Sequence, residues 1–115
     1  MNEPPRPRTV DTTTDDALGT SDATDLVARL ARREVSRAEL REAATARAHA
    51  ANPHLNAVTH WFDDPVRTEV VVPADAPLAG VPTFFKDNEE TAGYPTTQGS
   101  WAVVDRPAPE CSPVT

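Results

Sequence analysis

Lys86 is the residue best placed to do chemistry in this sequence. It closes the run Leu78-Ala79-Gly80-Val81-Pro82-Thr83-Phe84-Phe85-Lys86, and Asp87-Asn88 follow it. A strand over Gly80–Phe85 that buries its apolar residues would carry the ammonium inward at its end. Burial disfavours the charged form, so a lysine held there accepts a proton near neutral pH. The competing reading is a strand-end lysine that snorkels to water, as most do. On this run alone both readings stand.

Other candidates carry less. Ser100 lies in Thr96-Thr97-Gln98-Gly99-Ser100. A serine nucleophile needs a base within hydrogen-bond reach and donors for an oxyanion. Lys86 would be that base, but a serine that only supports a turn explains the run as well. His49, His54 and His60 are not spaced to bring two onto one helix face, and no cysteine or carboxylate cluster joins them. Surface histidines rather than metal ligands are expected. Asp63-Asp64 lacks a partner pair and reads as the start of a turn. Gly80 and Gly93 stand alone, so no phosphate loop is expected. No metal or cofactor is called for.

Helices and strands must position these groups. A first helix is expected from Asp22, capped by Ser21 or Asp22. Ala23, Leu26, Val27, Leu30 and Ala31 make its apolar stripe, with Arg29, Arg32 and Arg33 outside it or at the end. A second helix begins more sharply. Ser36 and Glu39 form an S-x-x-E capping box, and Val35 with Leu40 form a hydrophobic staple. Alanine-rich sequence follows to Ala51, and Asn52-Pro53 is the expected stop. Leu40, Ala44, Ala48 and Ala51 give the inward face, small enough for close packing. Glu34-Val35-Ser36 joins the two as a helical hairpin or corner.

Beyond the helices the pattern is less regular. Leu55–Phe62 suits either a strand or a third helix. Glu69–Val72 is a short β-prone run closed by Pro73, and Ala74–Pro77 is loop. Gly80–Phe85 is the clearest strand, with Pro82 arguing for an edge. Thr91–Thr97, with Gly93 and Pro95, is rich in turns. Residues 1–20 hold Pro4, Pro5, Pro7 and a Thr/Asp-rich run. They read as a disordered or loosely docked arm, because little apolar surface offsets the entropy of ordering them. Residues 105–115 carry Pro107, Pro109 and Pro113 and read as an irregular end. That leaves 21–104 as the folded portion.

Composition bounds the function. The 115 residues are enough for about one domain. Their hydrophobic fraction of 38% is low, so part of the chain is not expected to form core. The formal net charge of -7, with no basic patch, argues against a nucleic-acid partner. One cysteine, Cys111, excludes an internal disulfide framework. No run reaches the ~18 apolar residues of a membrane span, and no secretory leader is evident. The expected compartment is the cytoplasm, with no membrane partner.

Ala79-Gly80-Val81-Pro82-Thr83-Phe84-Phe85-Lys86-Asp87-Asn88, then Thr91-Ala92-Gly93-Tyr94-Pro95-Thr96-Thr97-Gln98-Gly99-Ser100, closely resemble the N-terminal block of the amidase signature hydrolases. That block reads roughly G-[IV]-P-x-x-x-K-D-N, then x-x-G-x-P-T-T-x-G-S. Asp25-Leu26 through Glu34-Val35-Ser36, and Ala51-Asn52-Pro53-His54-Leu55-Asn56-Ala57, resemble the family's leading helices and their exit. The likeness covers about residues 17–104. It implies an α/β fold: two leading helices, then strands of a mixed sheet, here incomplete. It implies hydrolysis of carboxamide bonds in a small-molecule amide by a Ser–cis-Ser–Lys triad. Lys86 corresponds to the triad lysine, which deprotonates the middle serine.

Two departures bear on this expectation. Family members run to several hundred residues, with both triad serines in a Gly/Ser-rich block well beyond the lysine. The present sequence reaches Thr115 without one and has no glycine after Gly99. The connection from Phe62 to Pro77 is also short where the family often places a helix. The chain is therefore expected to be the N-terminal piece of an amidase, inactive alone, with Phe84 and Phe85 partly uncovered. The alternatives are a truncated gene product or a non-catalytic helical module docking through Leu26, Val27, Leu30 and Leu40.

Overall fold

Helix α1 (Ala23–Ala31) begins where Asp22 caps it. The Asp22 backbone is extended, and its carboxylate accepts a 2.9 Å hydrogen bond from the Asp25 amide, one of the donors a helix start leaves unpaired. Leu26 is the buried anchor of the expected stripe, with Val27 and Leu30 half-buried beside it. Ala23 and Ala31, at the ends of that stripe, are exposed. Arg33, at φ 59, turns the chain out of the helix, and Arg32 pairs with Glu34 at 2.6 Å.

The computed structural model describes residues 9–62, 73 and 75–113. The chain divides into two compact units, Met1–Asn56 with Val72–Pro82, and Ala57–Val71 with Thr83–Thr115. The β-prone run Glu69–Val72 and Asp63-Asp64 lie outside the described residues, as does most of the connection from Phe62 to Pro77.

Helix α2 (Arg37–Leu55) opens on the expected capping box. The Ser36 hydroxyl accepts from the Glu39 amide at 3.2 Å, and the Glu39 carboxylate accepts from the Ser36 amide at 2.8 Å. Both bonds satisfy donors that the first turn orphans. Leu40 is fully buried one turn in. The helix does not stop at Asn52-Pro53. Pro53 sits inside the last turn, and the helix runs on to Leu55. A proline this close to the end forfeits one hydrogen bond and keeps a φ suited to helix. The left-handed residue that closes the helix is Asn56, at φ 49.

The inward face of α2 is also wider than the alanine spacing suggests. Ala43 is buried, while Ala44, Ala48 and Ala51 are half-buried. Arg47 belongs to the same stripe. Its guanidinium donates to the Asp16 carboxylate at 2.6 and 2.8 Å, to the Thr14 carbonyl at 3.2 Å and to the Gly19 carbonyl at 2.8 Å. These bonds hold residues 14–19 against the helix, although they lie in the arm defined above. The Arg47 bonds hold the Asp16 carboxyl well below the usual carboxylate range.

Residues 75–82 return to this first unit through turns. The Ala79 amide bonds to the Ala76 carbonyl at 3.2 Å, and the Val81 amide to the Leu78 carbonyl at 3.1 Å. Gly80 holds φ +87, and a Cβ placed there would lie 2.8 Å from Cγ of Arg37. Only glycine meets both conditions without strain. Gly80→Ala is expected to lower stability by about 1 kcal/mol or more, read as a shift in the thermal unfolding midpoint.

The expected strand over Gly80–Phe85 does not form, and no strand occurs among the described residues. A strand is a tertiary object: its amides need a ladder partner. Here the Val81 amide closes a turn, Pro82 has no N–H, and no neighbouring segment among the described residues pairs with the run. The mixed sheet of the expected α/β fold is therefore absent from the described part. Leu55–Phe62 forms neither of its two alternatives. Leu55 ends α2 and the rest is irregular.

The second unit is held by short backbone links. Ala92 bridges Ala108 in parallel, and Pro95 bridges Pro107 in antiparallel sense. The Gly93 amide reaches the Ala108 carbonyl at 2.8 Å, and the Ala108 amide reaches the Tyr94 carbonyl at 2.9 Å. Ala108 is buried between them. The Ser112 amide and hydroxyl bond to the Glu90 carbonyl and the Glu89 carboxylate, each at 2.8 Å. Phe62 meets Tyr94 edge to face at 4.3 Å between ring centres.

Candidate active site

Lys86 lies in an irregular, exposed segment and not at the inward end of a strand. The inward placement expected of Lys86 is therefore not adopted among the described residues. Its backbone carbonyl accepts from the Asn88 amide at 2.8 Å and the Glu89 amide at 3.0 Å, closing a tight turn. The side chain makes no hydrogen bond or ion pair among the described residues.

The next residue organises the site. One Asp87 oxygen accepts from the Thr97 amide at 3.0 Å. The other accepts from the Thr97 hydroxyl at 2.7 Å and the Gly99 amide at 3.1 Å. The Asp87 carbonyl takes the Gln98 amide at 3.1 Å. Loop 96–100 therefore wraps around one half-buried carboxylate, beside Lys86. Gln98 and Gly99, both at positive φ, supply the curvature. Partial burial pushes the Asp87 carboxyl up, but the bonds from Thr97 and Gly99, with the Thr59 side chain, outweigh it and hold the group below its ordinary value.

Asp87 had no assigned role in the sequence, though a signal was present. A run such as Pro95-Thr96-Thr97-Gln98-Gly99-Ser100 leaves several amides pointing one way and needs an acceptor. Carboxylates readily serve such turns.

The remaining hydroxyl candidates have local duties. The chain has four serines, Ser21, Ser36, Ser100 and Ser112. Ser21 accepts from Arg29 at 3.0 Å, Ser36 caps α2, and Ser112 holds Glu89. The Ser100 hydroxyl accepts from the Ala102 amide at 3.2 Å. No serine hydroxyl is bonded to Lys86 among the described residues, so the compact Ser100–Lys86 pair does not assemble. Three consecutive loop amides, Thr97 to Gly99, are already spent on Asp87 and cannot serve an oxyanion. No group of three metal-binding side chains occurs among the described residues, and the three histidines are not brought together as a site. No helix among them is long and apolar enough to cross a membrane.

The Amidase family model matches residues 39–115, which include the Lys86-Asp87-Asn88 turn and the loop it holds. The chain belongs to the amidase family. Proteins named "Putative amidase AmiC" from Mycobacterium tuberculosis (strain H37Rv) and Mycobacterium bovis are each 43% identical over 88 residues. That match covers 75% of this chain and 19% of either relative. The Mycobacterium leprae protein of the same name is 42% identical over 94 residues, 82% of this chain and 20% of its own length. The chain spans about a fifth of the length of the curated relatives it matches. No solved structure matches it. Amidase membership accounts for the K-D-N and P-T-T-Q-G-S runs, which a helical docking module would not need.

Proposed function

We propose that this chain supplies the lysine of a Ser–cis-Ser–Lys amidase and does not hydrolyse amides by itself. The triad serines come from polypeptide beyond the part described here. The observation that carries the reading is the Asp87 anchor. It fixes the turn around Lys86 and the neighbouring loop, yet leaves the lysine side chain exposed and without a hydroxyl partner among the described residues. A built turn that presents an unengaged ammonium suits a half-site.

In the completed domain the lysine side chain would be covered. Burial then favours the neutral amine, which takes a proton from the middle serine and returns it later in the cycle. That serine in turn relays the proton of the nucleophilic serine. The substrate class is a small carboxamide.

The test is an assay of the isolated chain. No turnover above a buffer blank is expected with aliphatic or aryl amides. Turnover by the isolated chain that disappears in Lys86→Ala would contradict the proposal.

A further inference from the structure

Residues 9–19 have the composition of a loose arm, yet they lie along α2. Packing does little to hold them there. None of them is buried, and Ala46 and Ala50 of the helix stay exposed beside them. A cavity of about 860 Å³ lies between residues 9–14 and Ala46, Ala50, Pro53 and Leu55. Contact of that kind removes little apolar surface from water. Burial therefore offsets little of the entropy lost in ordering the arm.

The attachment is instead concentrated at one node. Arg47 donates to both Asp16 oxygens, through Nε at 2.8 Å and a terminal nitrogen at 2.6 Å. The same terminal nitrogen reaches the Thr14 and Gly19 carbonyls. Asp16 in turn gathers the arm around itself. Its carboxylate accepts from the Thr14 hydroxyl at 2.8 Å and from the Leu18 and Gly19 amides at 3.0 and 3.1 Å. The planar guanidinium fork matches a carboxylate and makes short, charge-assisted bonds. Both side chains are about a fifth exposed, so water and salt still reach the pair.

We propose that residues 9–19 are a releasable strap on α2 and that the Arg47–Asp16 pair is its catch. With the pair made, the strap lies on the helix. With the pair broken, the strap leaves, while α2 keeps its capping box and its buried Leu40 and Ala43. Weak packing and costly ordering leave the two positions close in free energy, so one charged pair tips the balance. Ionic strength is the natural trigger. Added salt screens a partly exposed pair and shifts the strap toward release. This device is independent of the amide chemistry proposed above.

The test is amide hydrogen exchange on the whole chain, read at Leu18 and Gly19 in the strap and at Leu40 and Ala43 in α2. Subtilisin cleavage within residues 9–19 is followed beside it. In Arg47→Ala the strap amides are expected to exchange about tenfold faster or more, as loss of bonds between charged groups implies. Strap cleavage should accelerate with them, and exchange in α2 should not change. Arg47→Lys keeps the charge and loses the fork, so it should give a smaller loss of the same kind. Raising the salt from about 0.05 to about 1 M should speed strap exchange in the parent chain and not in Arg47→Ala. Strap amides in the parent no better protected than those of an unfolded peptide would overturn the proposal. So would strap exchange that ignores Arg47→Ala or salt. If Arg47→Ala does not fold, Arg47→Lys decides, and α2 losing protection in step with the strap there would make the pair a support of the helix and not a catch.

Discussion

Lys86→Ala in a single-chain chimera, with this chain in place of the matching segment of the Mycobacterium tuberculosis relative, is expected to reduce kcat by about 10²–10⁴-fold, the range that positioned proton transfer contributes. KM should change little. The lysine moves a proton in the transition state and is not part of the surface that recognises the amide, so kcat and kcat/KM should fall together. Lys86→Arg should not restore turnover, because a guanidinium keeps its proton at any working pH. Steady-state kinetics on one carboxamide with the three proteins reads this directly. A KM effect with unchanged kcat would instead make Lys86 a binding residue.

Asp87→Ala should have the second largest effect, and it acts on geometry before chemistry. Removing the carboxylate leaves the Thr97 amide, the Thr97 hydroxyl and the Gly99 amide without their acceptor. Hydrogen bonds to a charged group are worth more than neutral ones, but these donors are near water. A loss of about 2 kcal/mol is therefore expected. Amide hydrogen exchange at Thr97 and Gly99 should lose its protection, while that of α2 should not change. In the chimera, turnover should drop by about 10²-fold if the turn carries Lys86 even 1 Å out of place.

The same anchor predicts a pH dependence. The folded Asp87 carboxyl sits below its ordinary value of about 3.9, so its contribution is fully present above that value. It is lost as pH falls through the lower folded value. Protection of the loop amides should thus persist in mildly acidic buffer and collapse only in strong acid. Asp87→Asn should remove that acid transition, because its amide does not titrate.

Local chemistry was the part of this fold most legible in the sequence. Asp22 and the Ser36–Glu39 box mark the two helix starts because a cap involves residues only three apart. Helix ends are less local. Pro53 reads as a stop, yet a last turn accommodates it and Asn56 closes the helix instead. The run Gly80–Phe85 has strand composition, but a strand requires a partner, and none lies among the described residues. The inward lysine failed for the same reason, since its burial depended on that strand. The loop around Asp87 is a long-range arrangement linking residues ten and twelve positions apart. The turn-rich run signals that it needs an acceptor, but spacing alone does not say which carboxylate supplies it. The identity of Lys86 as a chemical position came through resemblance, and the structure adds the residue that orients its turn.

The most direct measurement is amide turnover by the chimera that carries this chain in place of the matching segment of the Mycobacterium tuberculosis relative. The substrate is a carboxamide that the parent relative hydrolyses, and the isolated chain is assayed beside it. The chimera is expected to hydrolyse the amide while the isolated chain does not. A cooperatively folded chimera with no activity would contradict it, as would a chimera whose activity survives Lys86→Ala.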